Sequence, residues 1–97
     1  MDKKINLALQ IIPKSRDKDV YALVDEAIAV IQNSGLKYEV CPFETVMEGE
    51  YEEIMKVVKE AQKASFDAGA EELLVNIKMQ VRKGSDVSIE EKTGKYK

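Results

Sequence analysis

The sequence predicts an α+β fold, a ferredoxin-like βαββαβ sandwich with a four-stranded antiparallel sheet and two helices on one face. Three observations predict it. Hydropathy alternates with period two near both ends of the chain, over residues 5–12 and 73–81, as it does in strands whose successive side chains point to opposite faces. Two longer stretches, residues 20–31 and 51–68, place apolar residues at i, i+3 and i+4, the stripe of an amphipathic helix. Between them residues 35–50 read as a tight hairpin, so a βα half and an αβ half meet there.

In strand one, Ile5, Leu7, Leu9 and Ile11 share one face and Asn6, Ala8, Gln10 and Ile12 the other. The second face is small, amide-bearing and mildly apolar, which suits a ligand or another subunit better than open water. Pro13 lacks the N–H of a ladder residue and is expected to end the strand. Asp17 or Asp19 then caps a helix whose inward positions are Val20, Leu23, Val24, Ala27, Ile28 and Ile31, and Gly35 closes it.

Strand two is expected over residues 37–41. Pro42 turns the chain, and strand three spans about residues 43–48 until Gly49 breaks it. Helix two faces inward with Tyr51, Ile54, Val57, Val58, Ala61 and Ser65 or Ala68, carries Glu52 and Glu53 where they complement its dipole, and stops at Gly69. Strand four sets Leu73, Val75, Ile77, Met79 and Val81 against Leu74, Asn76, Lys78 and Gln80. Beyond Gly84 two readings stay open: Val87, Ser88 and Ile89 start a short strand, or Ser88 caps a brief helix containing Glu90, Glu91 and Lys92. The sheet face away from the helices is expected to be uncovered. With Ala8, Ile12 and Leu74 among amides it is large for a monomer, so sheets are expected to pair in a homo-oligomer.

Ninety-seven residues make one domain, residues 1–97. A net charge of −3 lacks the basic footprint that phosphate backbones need, so nucleic acid is not an expected partner. No apolar run approaches the length of a membrane span or forms a signal-peptide core, so a cytoplasmic protein without a membrane partner is expected. Cys41 is the single cysteine and histidine is absent. Disulfides, Cys-x-x-Cys sites, imidazole-activated nucleophiles and most zinc sites are thereby excluded, and neither metal nor cofactor is expected.

Other functions of this fold fail on their residues. Base stacking needs aromatics on strand one, which offers Asn6, Ala8 and Gln10; a metal chaperone needs paired thiolates in the first loop, which reads Pro13, Lys14, Ser15, Arg16, Asp17, Lys18. That loop also lacks the glycines that wrap an anion in acylphosphatase-like chemistry. The hairpin remains, with an aromatic, a thiol, a hydroxyl and a carboxylate gathered in Tyr38, Cys41, Phe43, Thr45 and Glu48, a mixture that marks small-molecule pockets. On an ideal strand Thr45 and Glu48 face opposite ways, so they serve one ligand only around a bulge or the strand end. Plain structural roles stand beside these: Thr45 as a strand residue, Phe43 and Tyr38 as core, Glu48 as a helix-dipole partner, Cys41 as a small buried hydrophobe.

The run Gly35, Leu36, Lys37, Tyr38, Glu39, Val40, followed by Pro42, Thr45, Val46, Met47, Glu48 and Gly49, resembles the YkoF-like thiamine-binding protein family and its Pro-x-x-Thr-x-x-Glu-Gly hairpin. Ile11, Ile12 and Pro13, the Ile77, Lys78, Met79 run, Arg82, and the closing Ile89, Glu90, Glu91, Lys92 are similar as well, so nearly the whole chain is covered. The resemblance implies non-catalytic binding of thiamine or its hydroxymethylpyrimidine moiety, in single-domain proteins that form dimers and tetramers. It gives Thr45 and Glu48 the ligand role; Phe43 is a candidate stacking wall beside them, and strand position, not the resemblance, adds Gln10, Ile12 and Asn76 as candidate ligand-binding residues. A thiazolium cation suits carboxylates and aromatic faces, and an aminopyrimidine suits a carboxylate, a hydroxyl and an amide. Glu44 and Gln80 depart from the family pattern, where glycine and acidic residues respectively are common. The expected function is a thiamine carrier, buffer or sensor and not an enzyme; the alternative is an oligomeric protein-interaction module with a vestigial pocket.

Overall fold

The computed structural model describes residues 3–97. Strands β1 (Lys4–Lys14), β2 (Lys37–Val40), β3 (Thr45–Glu50) and β4 (Glu72–Gln80) alternate with helices α1 (Val20–Gln32) and α2 (Tyr51–Ala68), and a short α3 (Ile89–Thr93) runs into a 3-10 turn, Gly94–Tyr96. The sheet is antiparallel in the order β2-β3-β1-β4. Each long helix therefore carries the chain over one intervening strand, α1 over β3 and α2 over β1, which is the predicted sandwich.

Ile5, Leu7, Leu9 and Ile11 of β1 and Met47 of β3 face the helices, where they meet Ala27 and Ile31 of α1 and Ile54, Val57, Val58 and Ala61 of α2 in one buried cluster. Each large side chain buried there contributes about 1.5–3 kcal/mol, so this face dominates the stability. Ser65, also buried, donates from Oγ to the Leu23 carbonyl at 2.8 Å and ties the two helices together. Asp19 is the α1 cap, accepting from the Tyr21 N–H, and Gly69 closes α2 at φ 126, a conformation that glycine adopts without strain.

Four expectations need correction. Pro13 does not end β1; it lies opposite Leu73 inside the strand, accommodated because β1 has no neighbour on its other side beyond the Leu9–Thr45 pair. Gly49 does not break β3 either. It lies buried opposite Ile5, and a Cβ there would come within 2.9 Å of Leu36 Cδ2, so the glycine gives Leu36 its place against the core. The hairpin turn takes residues 41–44, closed by a Cys41 N–H to Glu44 carbonyl bond of 2.8 Å, and Phe43 belongs to this turn.

The fourth concerns the second sheet face, which is partly covered by the C-terminal segment. Ser88 caps α3 through a full capping box with Glu91, which selects the helical reading of the tail. The segment is held over the sheet by polar contacts: Asn6 Nδ2 donates to the Val87 carbonyl (3.2 Å), the Ile89 N–H to Glu48 Oε1 (2.7 Å), Lys92 Nζ to Gln80 Oε1 (2.8 Å), and Lys97 pairs with Glu39 (3.1 Å). Val87 and Ile89 are buried in consequence.

Arg82 grips Glu91 with two N–H···O bonds, of 2.7 and 3.3 Å. The Arg82 hydrogen bond foremost, then that from the Ser88 N–H, lowers the Glu91 carboxyl from 4.5 to about 2. A carboxyl depressed by folding stabilises the clasp above its unfolded value and ceases to as the pH falls toward the folded one. We expect the amides of Ser88 and Glu91 to be protected above pH 4.5 and to lose protection progressively between 4.5 and about 2, measured by exchange-sensitive NMR. Protection unchanged across that window would count against the pairing.

Candidate functional site

Strand β1 continues to Lys14 whereas its register with β3 stops at Leu9–Thr45. The shortfall leaves a notch at the edge of β1, flanked by the 41–44 turn and α1, and it holds a pocket of ≈ 240 Å³. Leu9, Ile11, Val24 and Ile28 give it apolar walls. Around them stand Tyr21 and Asp25 from α1, Cys41, Phe43 and Glu44 from the turn, and Thr45 at the start of β3. Tyr21, Val24, Asp25 and Ile28 reach one side because they fall at i, i+3, i+4 and i+7 of α1. Tyr21 and Phe43 are each 80% exposed while Thr45 is 5% exposed, so the aromatics form a rim and the hydroxyl lies deep.

The six residues singled out from the sequence do not converge. Thr45 and Phe43 meet at this pocket, and Gln10 borders it from β1. The Gln10 side chain, however, is engaged on the other sheet face, where Oε1 accepts from Asn76 Nδ2 at 3.2 Å. Ile12 and Asn76 belong to that face too, as does Glu48, which stands opposite Asn6. The β1–β3 register runs from Lys4–Glu50 to Leu9–Thr45 with no bulge, so Thr45 and Glu48 stay on opposite sides of the sheet. Glu48 instead holds the first amide of α3. Glu44, the departure from the family pattern, borders the pocket beside Phe43.

Sequence reasoning missed Tyr21 and Asp25. The signal was present, since Tyr21 and Asp25 are one turn apart on α1 and flank the core stripe of Leu23, Ala27 and Ile31. Among the described residues no group of three or more His, Cys, Asp or Glu is placed to hold a metal ion. The pocket offers two aromatic rings, two carboxylates, a thiol and a hydroxyl around an apolar floor. Such a set holds a flat, polar-edged ring and attracts a cation at the mouth.

The family described as thiamine-binding protein matches residues 7–97. The chain belongs to that family. A UPF0045 protein of Clostridium perfringens is 38% identical over 92 residues, covering 95% of this chain and 96% of that protein. A domain of unknown function from Bacillus cereus superposes with a TM-score of 0.94 at 44% identity, covering 98% of this chain and 91% of that one. A putative thiamine biosynthesis/salvage protein from Thermotoga maritima does so with a TM-score of 0.87 at 34% identity, covering 97% and 99%. These similarities extend over the whole sandwich, including the notch and the tail.

The Glu48 anchor is directly testable. Glu48→Gln keeps an acceptor for the Ile89 amide but removes its charge, so the bond should weaken by about 1 kcal/mol, the difference between charged and neutral acceptors. We expect a matching fall in urea stability and faster hydrogen exchange at Ile89. Exchange at Ile89 as slow as in the unmodified chain would show that the carboxylate is not what holds α3.

Proposed function

We propose that this chain binds thiamine or its hydroxymethylpyrimidine moiety in the notch pocket, without turnover, as a carrier, buffer or sensor. The observation that carries this reading is that Thr45 and Pro42 of the family hairpin line the same pocket as Tyr21, Asp25, Phe43 and Glu44. Its volume of ≈ 240 Å³ lies just under the ~300–1,000 Å³ of ordinary ligand sites, so one ring fits inside. The aminopyrimidine takes the deep end beside Thr45. The thiazolium then lies at the rim, against the faces of Phe43 and Tyr21 and near the carboxylates of Asp25 and Glu44; an exposed cation–π contact of this kind contributes about 0.5–1 kcal/mol.

Isothermal titration with thiamine, hydroxymethylpyrimidine and thiamine phosphate in parallel tests the assignment. Asp25→Asn should weaken thiamine binding by about 1–2 kcal/mol, the loss of a charge-assisted contact, and should spare the neutral pyrimidine. Glu48→Gln, on the opposite sheet face, should leave thiamine affinity nearly unchanged. Loss of binding in Glu48→Gln with Asp25→Asn unaffected would move the ligand to the other face, and silence of the folded protein toward all three would leave the interaction-module reading.

We also propose that the chain forms a homo-oligomer, a dimer or tetramer, through the part of the second sheet face that the tail leaves bare. Leu74 is 53% exposed there and stands opposite Ile12. Light scattering should give a multiple of the 10.9 kDa chain mass, and Leu74→Glu should shift it toward one chain. A monomeric parent protein would overturn this assembly.

A further inference from the structure

In an antiparallel strand the N–H and C=O of one residue point to the same side, and successive residues alternate sides. The Lys4 carbonyl of β1 accepts from the Val87 N–H (2.9 Å) and the Lys14 carbonyl from the Glu71 N–H (2.8 Å), partners that follow and precede β4, so the even-numbered residues are turned toward β4. The odd-numbered ones are turned toward β3. The hairpin agrees, because the Cys41 N–H bonds the Glu44 carbonyl, which turns Glu44 toward β2 and the next residue, Thr45, toward Leu9. Beyond the Leu9–Thr45 pair β3 has ended, and Ile11 is the next residue turned to that side. Neither its N–H nor its C=O receives a main-chain partner from β3 or from the 41–44 turn.

These two groups open on the notch pocket. Ile11 borders it and keeps 8% of its surface exposed. Gln10 borders it too, although its side chain is drawn to Asn76 on the other sheet face, so the main chain at the 10–11 peptide forms that wall. Pro13, the following residue on this side, has a carbonyl and no N–H. From Leu9 outward the free edge therefore reads donor, acceptor, gap, acceptor. A further β-strand needs a donor and an acceptor at every second residue, and Pro13 denies it the next donor. A ring that carries an acceptor nitrogen beside an amino group needs only the Ile11 pair.

We propose that the Ile11 N–H and C=O read the ring edge of the ligand and make the notch selective for an aminopyrimidine over an oxopyrimidine, an inference that rests on the notch being the ligand site. The ring nitrogen accepts from the Ile11 N–H, and the exocyclic amine donates to the Ile11 C=O. From Leu9 toward Pro13 the ligand then presents its ring nitrogen, the carbon bearing the amine, and the carbon bearing the methylene. The methylene thus leaves toward the end where α1 begins and carries Tyr21, which delivers the thiazolium to the aromatic rim. Exchanging the amine for an oxo group makes the ring nitrogen a donor and the exocyclic atom an acceptor, so donor meets donor and acceptor meets acceptor. Turning the ring over restores the pairs but sends the methylene to the deep end beside Thr45, where a pocket of ≈ 240 Å³ has no space for a second ring.

The test is a titration of the whole chain with thiamine and with its oxo analogue, oxythiamine, read by calorimetry and by the NMR signal and hydrogen exchange of the Ile11 amide. Thiamine should shift that signal and slow its exchange, and oxythiamine, which keeps the thiazolium, should bind about tenfold more weakly or worse, because both groups of Ile11 are left facing their like. Thiamine bound with the Ile11 amide exchanging as fast as before, or oxythiamine bound as tightly as thiamine, would overturn the edge reading and leave the pocket assignment standing, with the Ile11 groups given to water. A folded chain that binds neither compound would overturn the pocket assignment and this inference together.

Discussion

The structure depends on the two-faced alternation of β1. This strand pairs with β3 on one side and β4 on the other, so both halves of the chain are referred to its register. A slip of one residue would turn Ile5, Leu7, Leu9 and Ile11 away from the helices and put Asn6, Ala8, Gln10 and Ile12 into the core. The loss of several buried aliphatic side chains at once exceeds what a domain of this size has in reserve. The register is therefore fixed, and with it the positions of everything built on either face. The notch exists because β1 is longer than β3, and Asn6 reaches the Val87 carbonyl of the tail because it points away from the helices.

The family hairpin reads differently once this register is in place. Pro42 helps to make the turn, Thr45 faces the helices at the pocket, Glu48 faces the other way and anchors α3, and Gly49 clears space for Leu36. A run of eight residues that reads as one site is thus divided among the notch pocket, a tail anchor and a packing contact. Its regular spacing reflects the strand period as much as any ligand.

Much of the fold was legible in the sequence, and the reasons are physical. Long segments with a clear period, such as β1, β4 and the two long helices, carry redundant apolar signals that no single residue can override. Local stop signals were less reliable. Pro13 and Gly49 read as breakers, yet each lies inside a strand, because an unpaired edge tolerates the first and the bulk of Leu36 requires the second. The tail was ambiguous because its helix is a single turn, held by contacts to Asn6, Glu48 and Gln80 that lie far away in sequence. The pocket was half legible: the strand motif led to Thr45 and Phe43, whereas Tyr21 and Asp25 come from α1, 20 or so residues earlier, and only tertiary packing brings them together.

The joint between β3 and α2 contains no spare residue: Glu50 ends the strand and caps the helix, and Tyr51 begins it. A helix advances about 100° per residue, so one residue inserted at that junction would swing Ile54, Val57, Val58 and Ala61 off the sheet. The 41–44 turn has no such gearing, because it ends in strand on both sides and projects into solvent at Phe43. A change of length in the 41–44 turn would therefore reshape the rim of the notch while the hydrophobic core keeps its phase, whereas the same change at the β3–α2 joint would not.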